Sequence, residues 1–216
     1  YNIPIPGEAK GTIPTKAWKK ANFNDIWHPG ETLSIGIGQG YVTATPLQLA
    51  VMAARIANGN KMITPRFRLD EPAYSSAAEA PLGISPEHLD LVRAGMNAVT
   101  NNPRGTAYAA RIPKPEYAMA GKTGTSQVRR ISKAERDTGV RKNEQKPWNE
   151  RDHALFVAYG PVAAPKYAIS VVVEHGGGGS KVAAPIARDI LWETLKRDPA
   201  NRIDAPDPSD TTLKEV

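Results

Sequence analysis

Ala120-Gly121-Lys122-Thr123-Gly124-Thr125-Ser126-Gln127-Val128 is the stretch that decides the fold of this chain. Upstream of it, apolar residues recur at helical spacing; from Tyr117 onward that period is lost. Tyr117–Val128 reads as a strand that carries Gly121 and Gly124. Two further strand-like runs follow, His153–Tyr159 and Lys166–Glu174, separated by a turn containing Gly160-Pro161 and Ala164-Pro165. The connections between the three runs are not helical, so antiparallel pairing is expected.

Working outward toward the N-terminus, Ser85-Pro86-Glu87 reads as a helix start, with Leu89, Val92, Met96 and Val99 on one face and Asn101-Asn102-Pro103 as the stop. Gly105–Arg111 adds a short helical stretch, and Glu71–Pro81 is a loose Ala/Ser/Glu-rich connection. An earlier helix opens with Thr45 as N-cap and Pro46 at the first helical position, where its missing N–H is not needed. Leu47, Leu49, Val51 and Ile56 contribute to its broad apolar face, and Asn58-Gly59 ends it. Tyr1 to Gly40 is rich in Pro and Gly without a sustained period. It reads as loops crossing a surface, with Trp18, Phe23 and Trp27 as buried anchors.

Toward the C-terminus, His175 through Gly179 forms a glycine-rich turn, and Ser180 is placed as the cap of a last helix running to about Arg197. The acidic, proline-containing residues 198–216 read as a disordered tail. The expected class is α+β, an antiparallel sheet flanked by helices, built from residues 1–197.

Composition closes off several functions. With 216 residues, 40% hydrophobic and 23% charged, the chain is neither disordered throughout nor a fibrous repeat. Its longest largely apolar run, Tyr167–Val173, is far short of the roughly 20 residues that span a bilayer. The absence of cysteine excludes a disulfide scaffold and a thiol nucleophile. His28, His88, His153 and His175 lack metal-ligand spacing, and no metal or cofactor is expected. Half of the net charge of +6 falls in Val128–Asp152, which holds eight basic and five acidic residues and reads as a solvated, mobile loop. An aromatic content of 6% without basic–aromatic interleaving argues against a nucleic-acid partner.

Most glycine-rich motifs fail their own tests. Gly176-Gly177-Gly178-Gly179-Ser180-Lys181 lacks the final glycine of a phosphate loop, and no G-x-S-x-G elbow accompanies His175-Gly176. Gly36-Ile37-Gly38-Gln39-Gly40 does not open a helix directly and is not a dinucleotide fingerprint. Lys122-Thr123-Gly124 is the remaining candidate. Lys122 offers a fixed positive charge, and Thr123 and Thr125 put hydroxyls on one face of a strand. Gly124 allows close backbone approach, and an unpaired N–H at Thr125 would suit a developing oxyanion. Such an edge suits a substrate with a terminal carboxylate and a carbonyl under attack; an ordinary exposed strand would carry the same residues.

The surroundings of the motif separate these readings. Lys122-Thr123-Gly124 resembles the third signature of penicillin-binding proteins and serine β-lactamases, whose set is S-x-x-K, S-x-N/D and K-T-G. Ile5–Gly11, Ser34–Tyr41 with Thr43–Gln48, Asn102–Tyr108, Arg151–Ala154 and Glu174–Gly177 resemble the class B, elongation-specific penicillin-binding protein 2 type. None of the nine serines begins S-x-x-K or S-x-N/D. The resemblance therefore implies that both motifs lie upstream of Tyr1, and that this chain by itself lacks acyl-transfer activity.

That resemblance implies a peptidoglycan D,D-transpeptidase in which an absent serine attacks D-Ala-D-Ala stem peptides and is acylated by β-lactams. Lys122 would support proton transfer, Thr123 and Thr125 would bind the substrate carboxylate, and the Thr125 N–H would form half of the oxyanion hole. Gly124 and Ser126 complete the substrate-binding edge. The same likeness implies a periplasmic domain anchored in the inner membrane by a helix outside this chain, with a membrane glycosyltransferase of the elongation machinery as partner. A D,D-carboxypeptidase or β-lactamase of the same superfamily, or a non-catalytic β-lactam-binding module, is the alternative. The basic stretch would then face anionic glycan, precursor or lipid headgroups.

Overall fold

A computed structural model describes residues 6–59, 61–65, 81–129 and 131–198. The element order is α1 (Lys16–Phe23), α2 (Pro29–Gly36), α3 (Pro46–Ala57), α4 (Pro86–Asn101), β1 (Ala120–Ser126), α5 (Lys133–Thr138), β2 (His153–Gly160), β3 (Tyr167–Val173) and α6 (Ala183–Arg197). The strands form one antiparallel sheet in the order β1-β2-β3.

Register sorts the side chains onto two faces. Residues opposite one another in an antiparallel pair share a face. Ala154, Phe156 and Ala158 of β2 pack with Ala184, Ala187, Leu191 and Leu195 of α6, and with Ile169 and Val171 of β3. On the other face, Tyr159 of β2 and Ala120 of β1 pack with Met96 of α4 and with Ile56 of α3. The sheet is thus a middle layer with α6 on one side and α3 and α4 on the other. Alternation in β2 explains why both faces are apolar there, as a central strand requires.

Helix starts follow local chemistry. The Thr45 side chain accepts from the Gln48 N–H while the Gln48 side chain accepts from the Thr45 N–H, a reciprocal cap. Ser85 accepts from the His88 N–H. The end of α4 is tied to the start of β1, because Thr100 Oγ1 and Asn101 Nδ2 donate to the buried Met119 carbonyl at 2.6 and 2.9 Å.

Several expectations are corrected. The N-terminal stretch contains two helices rather than loops alone. Thr15 caps α1, and Pro29 with Glu31 starts α2, an opening disguised by its Pro-Gly pair. Its aromatics are not buried anchors: Phe23 is 52% exposed, and Trp18 packs edge-on against Phe23 and tilted against Tyr41 at the surface. The strand is shorter than Tyr117–Val128, because Pro115–Tyr117 is a 3-10 turn. Of Gly105–Arg111, only Tyr108–Ala110 is a 3-10 turn.

Ser180 does not cap α6. Residues Gly178–Lys181 form a turn, and the helix opens at Ala183 after Val182. The basic stretch is not a bare mobile loop either. It holds α5 and two 3-10 turns, Asn143–Gln145 and Trp148–Glu150. A bidentate Arg129–Glu135 pair at 2.9 and 2.6 Å pins it, and the Arg129 guanidinium holds the Glu135 carboxyl well below the usual carboxylate range. Most of Glu71–Pro81, and residues 199–216, lie outside the described residues. No described helix is long and apolar enough to cross a membrane.

Candidate active site

Strand β1 has only one strand neighbour among the described residues, β2, so its other edge is unpaired by strand. Two contacts mark that outer edge. Gln39 Nε2 donates to the Thr125 carbonyl at 2.9 Å, and Lys122 Nζ donates to the Thr123 carbonyl at 2.7 Å. In a strand, the N–H and C=O of one residue point the same way, and residues two apart repeat that direction. The Thr123 and Thr125 N–H groups therefore point outward from the sheet, while Lys122 and Gly124 bond to β2.

The register also places the side chains. Thr123 lies opposite Phe156 and Thr125 opposite Ala154, both on the face covered by α6. Lys122 lies opposite Val157, on the other face. The two hydroxyls thus share one side, as the sequence suggests, and the ammonium rises from the opposite side and bends back to the outer edge. Lys122, Thr125 and Ser126 are exposed, Thr123 and Gly124 half-buried. The five sequence-predicted residues are brought together by being consecutive on one edge.

Gly179 has a role beside Gly124 that the sequence does not reveal. Its backbone comes close to that of the site strand. A Cβ added at Gly179 would lie 2.5 Å from the Gly124 carbonyl oxygen and would collide with that of Leu155. The glycine-rich turn ahead of α6 therefore packs directly on the backbone of the Gly124–Leu155 pair.

Behind that turn lies a second set of residues missed as a site. The His175 N–H donates to His153 Nδ1 at 2.8 Å, and His175 Nδ1 lies 2.9 Å from the Arg151 carbonyl. Trp148 packs on His175 with ring centroids 4.4 Å apart. Since His153 lies opposite Ser126 at the end of β1, these rings fix the turn relative to the site strand. Below them, the buried Lys146 ammonium sits 3.4 Å from both Asp152 and Asn143. Gln39 was missed as well. Its only sequence signal was membership in Ser34–Tyr41, because a side chain reaching across 86 positions leaves no periodicity. No group of three or more His, Cys, Asp or Glu side chains arranged to hold a metal occurs among the described residues.

Arranged this way, the edge offers outward N–H groups, two threonine hydroxyls on one face and a cation that reaches the edge from the other. That is equipment for holding an extended, anionic acyl substrate and stabilising negative charge at a carbonyl. None of the nine serines of the chain, Ser126 on this edge included, carries the S-x-x-K spacing.

Comparison with known proteins shows the family. The model of the penicillin binding protein transpeptidase domain matches residues 1–192. The chain is 36% identical over 197 residues to the peptidoglycan D,D-transpeptidase MrdA of Salmonella typhimurium, covering 88% of this chain and 31% of that protein. It is 38% identical over 197 residues to MrdA of Haemophilus influenzae, covering 88% of this chain and 29% of that protein. The chain thus spans about a third of the length of these curated relatives. Among solved structures, Pseudomonas aeruginosa PBP2 in complex with WCK 5153 superposes with a TM-score of 0.72 at 36% identity, covering 88% of this chain and 39% of that one. The PBP2–MreC complex from Helicobacter pylori gives 0.70 at 34% identity, covering 89% of this chain and 32% of that one.

Proposed function

The chain belongs to the penicillin-binding protein transpeptidase domain family, and from that premise we propose that it supplies the K-T-G strand of a peptidoglycan D,D-transpeptidase. The observation that carries this reading is the outer edge of β1, where the Thr125 carbonyl is held by Gln39 and the Thr125 N–H faces away from the sheet.

The reaction passes through an acyl-serine. A serine hydroxyl contributed by an upstream part of the same domain, carrying S-x-x-K and S-x-N/D, attacks the carbonyl of a D-Ala-D-Ala stem peptide. A C–O bond forms, the peptide C–N bond breaks, and D-Ala leaves with the proton. The amine of a neighbouring stem peptide then takes the acyl group and regenerates the serine. Splitting the transfer in this way replaces one difficult step by two easier ones. β-Lactams acylate the same hydroxyl.

Lys122 supports proton transfer through its positive charge. Thr123 and Thr125 receive the substrate carboxylate, Gly124 and Ser126 extend the edge along which the peptide lies, and the Thr125 N–H contributes half of the oxyanion hole. The domain works in the periplasm, on a polypeptide anchored in the inner membrane outside this chain. A membrane glycosyltransferase of the elongation machinery is its partner; separately, PBP2 of Helicobacter pylori is solved in complex with MreC.

The test uses the intact protein and a labelled penicillin. Thr125→Pro removes the outward N–H, and the loss of one such donor typically costs about 3 kcal/mol, so acylation should slow on the order of a hundredfold. Lys122→Ala should likewise lose most acylation. Rates equal to those of the unaltered protein reject these roles. Product analysis with an acceptor amine separates transfer from hydrolysis.

A further inference from the structure

The glycine-rich turn has two sides. One packs on Gly124 of the site strand; the other forms the wall of a cleft of about 390 Å³ shared with the basic segment. Lys142, Arg151 and Lys181 line that cleft, together with Ser180 and the backbone of Gly178. The acid lining it is Glu144, so the lining carries three cations against one carboxylate.

The cations of this region fall into two groups. Arg129, Arg141 and Lys146 are neutralised by Glu135, Glu150 and Asp152. Lys142, Arg151 and Lys181 form no ion pair among the described residues. Arg151 is held in place by donating Nε–H to the Lys146 carbonyl at 3.2 Å, which leaves the rest of its guanidinium available. The Gly178 and Ser180 N–H groups have no hydrogen-bond partner among the described residues. Three cations lining one cleft against a single carboxylate, beside free backbone donors, are the equipment of an oxyanion site.

We propose that this cleft binds a carboxylate or phosphate group belonging to the ligand whose acyl group lies on the Lys122–Thr125 edge. The proposal rests on the transpeptidase reading above, since the shared turn ties the cleft to that edge. Lys142 and Lys181 supply mobile positive charge at its mouth. Arg151 supplies an oriented one, and the turn supplies backbone donors. The cleft thereby selects ligands that carry a second negative charge remote from the reacting carbonyl.

The experiment compares two β-lactam probes on the intact protein, identical except that the side group ends in a carboxylate in one and in the corresponding amide in the other. The unaltered protein should acylate faster with the carboxylated probe. The double variant Lys142→Gln/Lys181→Gln should slow that probe by roughly tenfold, the size of one lost charge-assisted contact, and the amide by less than about twofold. Both lysines are exposed, so a folding defect is not expected, and it would slow both probes equally. Lys142→Arg/Lys181→Arg should restore the difference.

Equal rates for the two probes, or equal losses in the double variant, overturn the proposal. Inorganic phosphate as a competitor distinguishes the sources. Selective slowing of the carboxylated probe indicates a site open to free phosphate as well; no effect indicates a site reached only by a group tethered to the ligand. Failure of the unaltered protein to react with either probe overturns the transpeptidase reading itself, a result distinct from loss of discrimination.

Discussion

The sheet with α4 and α6, and the N-terminal segment with α1 and α2, are built on opposite terms. In the sheet, Phe156 is 0% exposed and Tyr159 2%, and apolar side chains fill both faces. In α2 and just beyond it, Leu33 is 76% exposed and Ile37 77%. The buried residues between positions 6 and 45 are Pro14 and Lys19. Lys19 is held by Asp25 at 3.2 Å and Glu31 at 2.5 Å, and its ammonium keeps both carboxyls below their usual range. One region is held by packing, the other by caps and ion pairs. Both contribute to the site edge: the sheet places β1 through its register, and the N-terminal segment reaches Thr125 through the Gln39 side chain. The candidate edge thus takes its position from the packed core and receives a hydrogen bond from the looser part.

The contrast can be tested by substitutions in the intact protein. Phe156→Ala empties the centre of the α6-side core and should cost about 3–5 kcal/mol in chemical unfolding. A loss under 1 kcal/mol would show that the sheet is not the packed unit described here. Asp198→Asn probes where the packed unit ends. Asp198 caps the end of α6 and bonds Lys166 Nζ at 2.7 Å and Tyr167 Oη at 2.8 Å, and the Lys166 ammonium lowers its carboxyl pKa. A lowered folded pKa gives stability that is present above the unfolded value, about 3.9, and is lost as pH falls through the folded value. The variant should therefore be less stable than the parent near neutral pH, with the gap shrinking as pH falls below about 4. A gap independent of pH would rule out the ion pair as its source. The smallest effect is expected at the surface of α2. Leu33→Ser should change stability by less than about 0.5 kcal/mol; a loss like that of Phe156→Ala would mean that this face is covered in the intact protein.

The sequence was most readable where local chemistry suffices. Thr45-Pro46 and Ser85-Pro86 announced α3 and α4, because a cap involves residues within three positions of each other. Strands β2 and β3 were legible to within one residue at each end from their apolar runs. The start of α2 was missed because Pro29-Gly30 reads as a turn. Ser180 does not cap α6 because Gly179 before it packs on the β1–β2 backbone, which no local pattern reveals. At the site, Lys122 through Ser126 could be named from the motif, while Gln39 and the His153–His175 contact could not.

The amino-acid order alone determined the family, helices α3 and α4 and the three strands, and it singled out the candidate edge, because each rests on residues adjacent in the chain. Tertiary structure decided which edge of β1 has no strand partner among the described residues, that Lys122 and the two threonines leave the strand on opposite faces, and that three cations without an ion pair among the described residues line one cleft beside the glycine-rich turn. Those outcomes depend on pairing register and on contacts between residues far apart in sequence, and such contacts are selected only when the whole core closes.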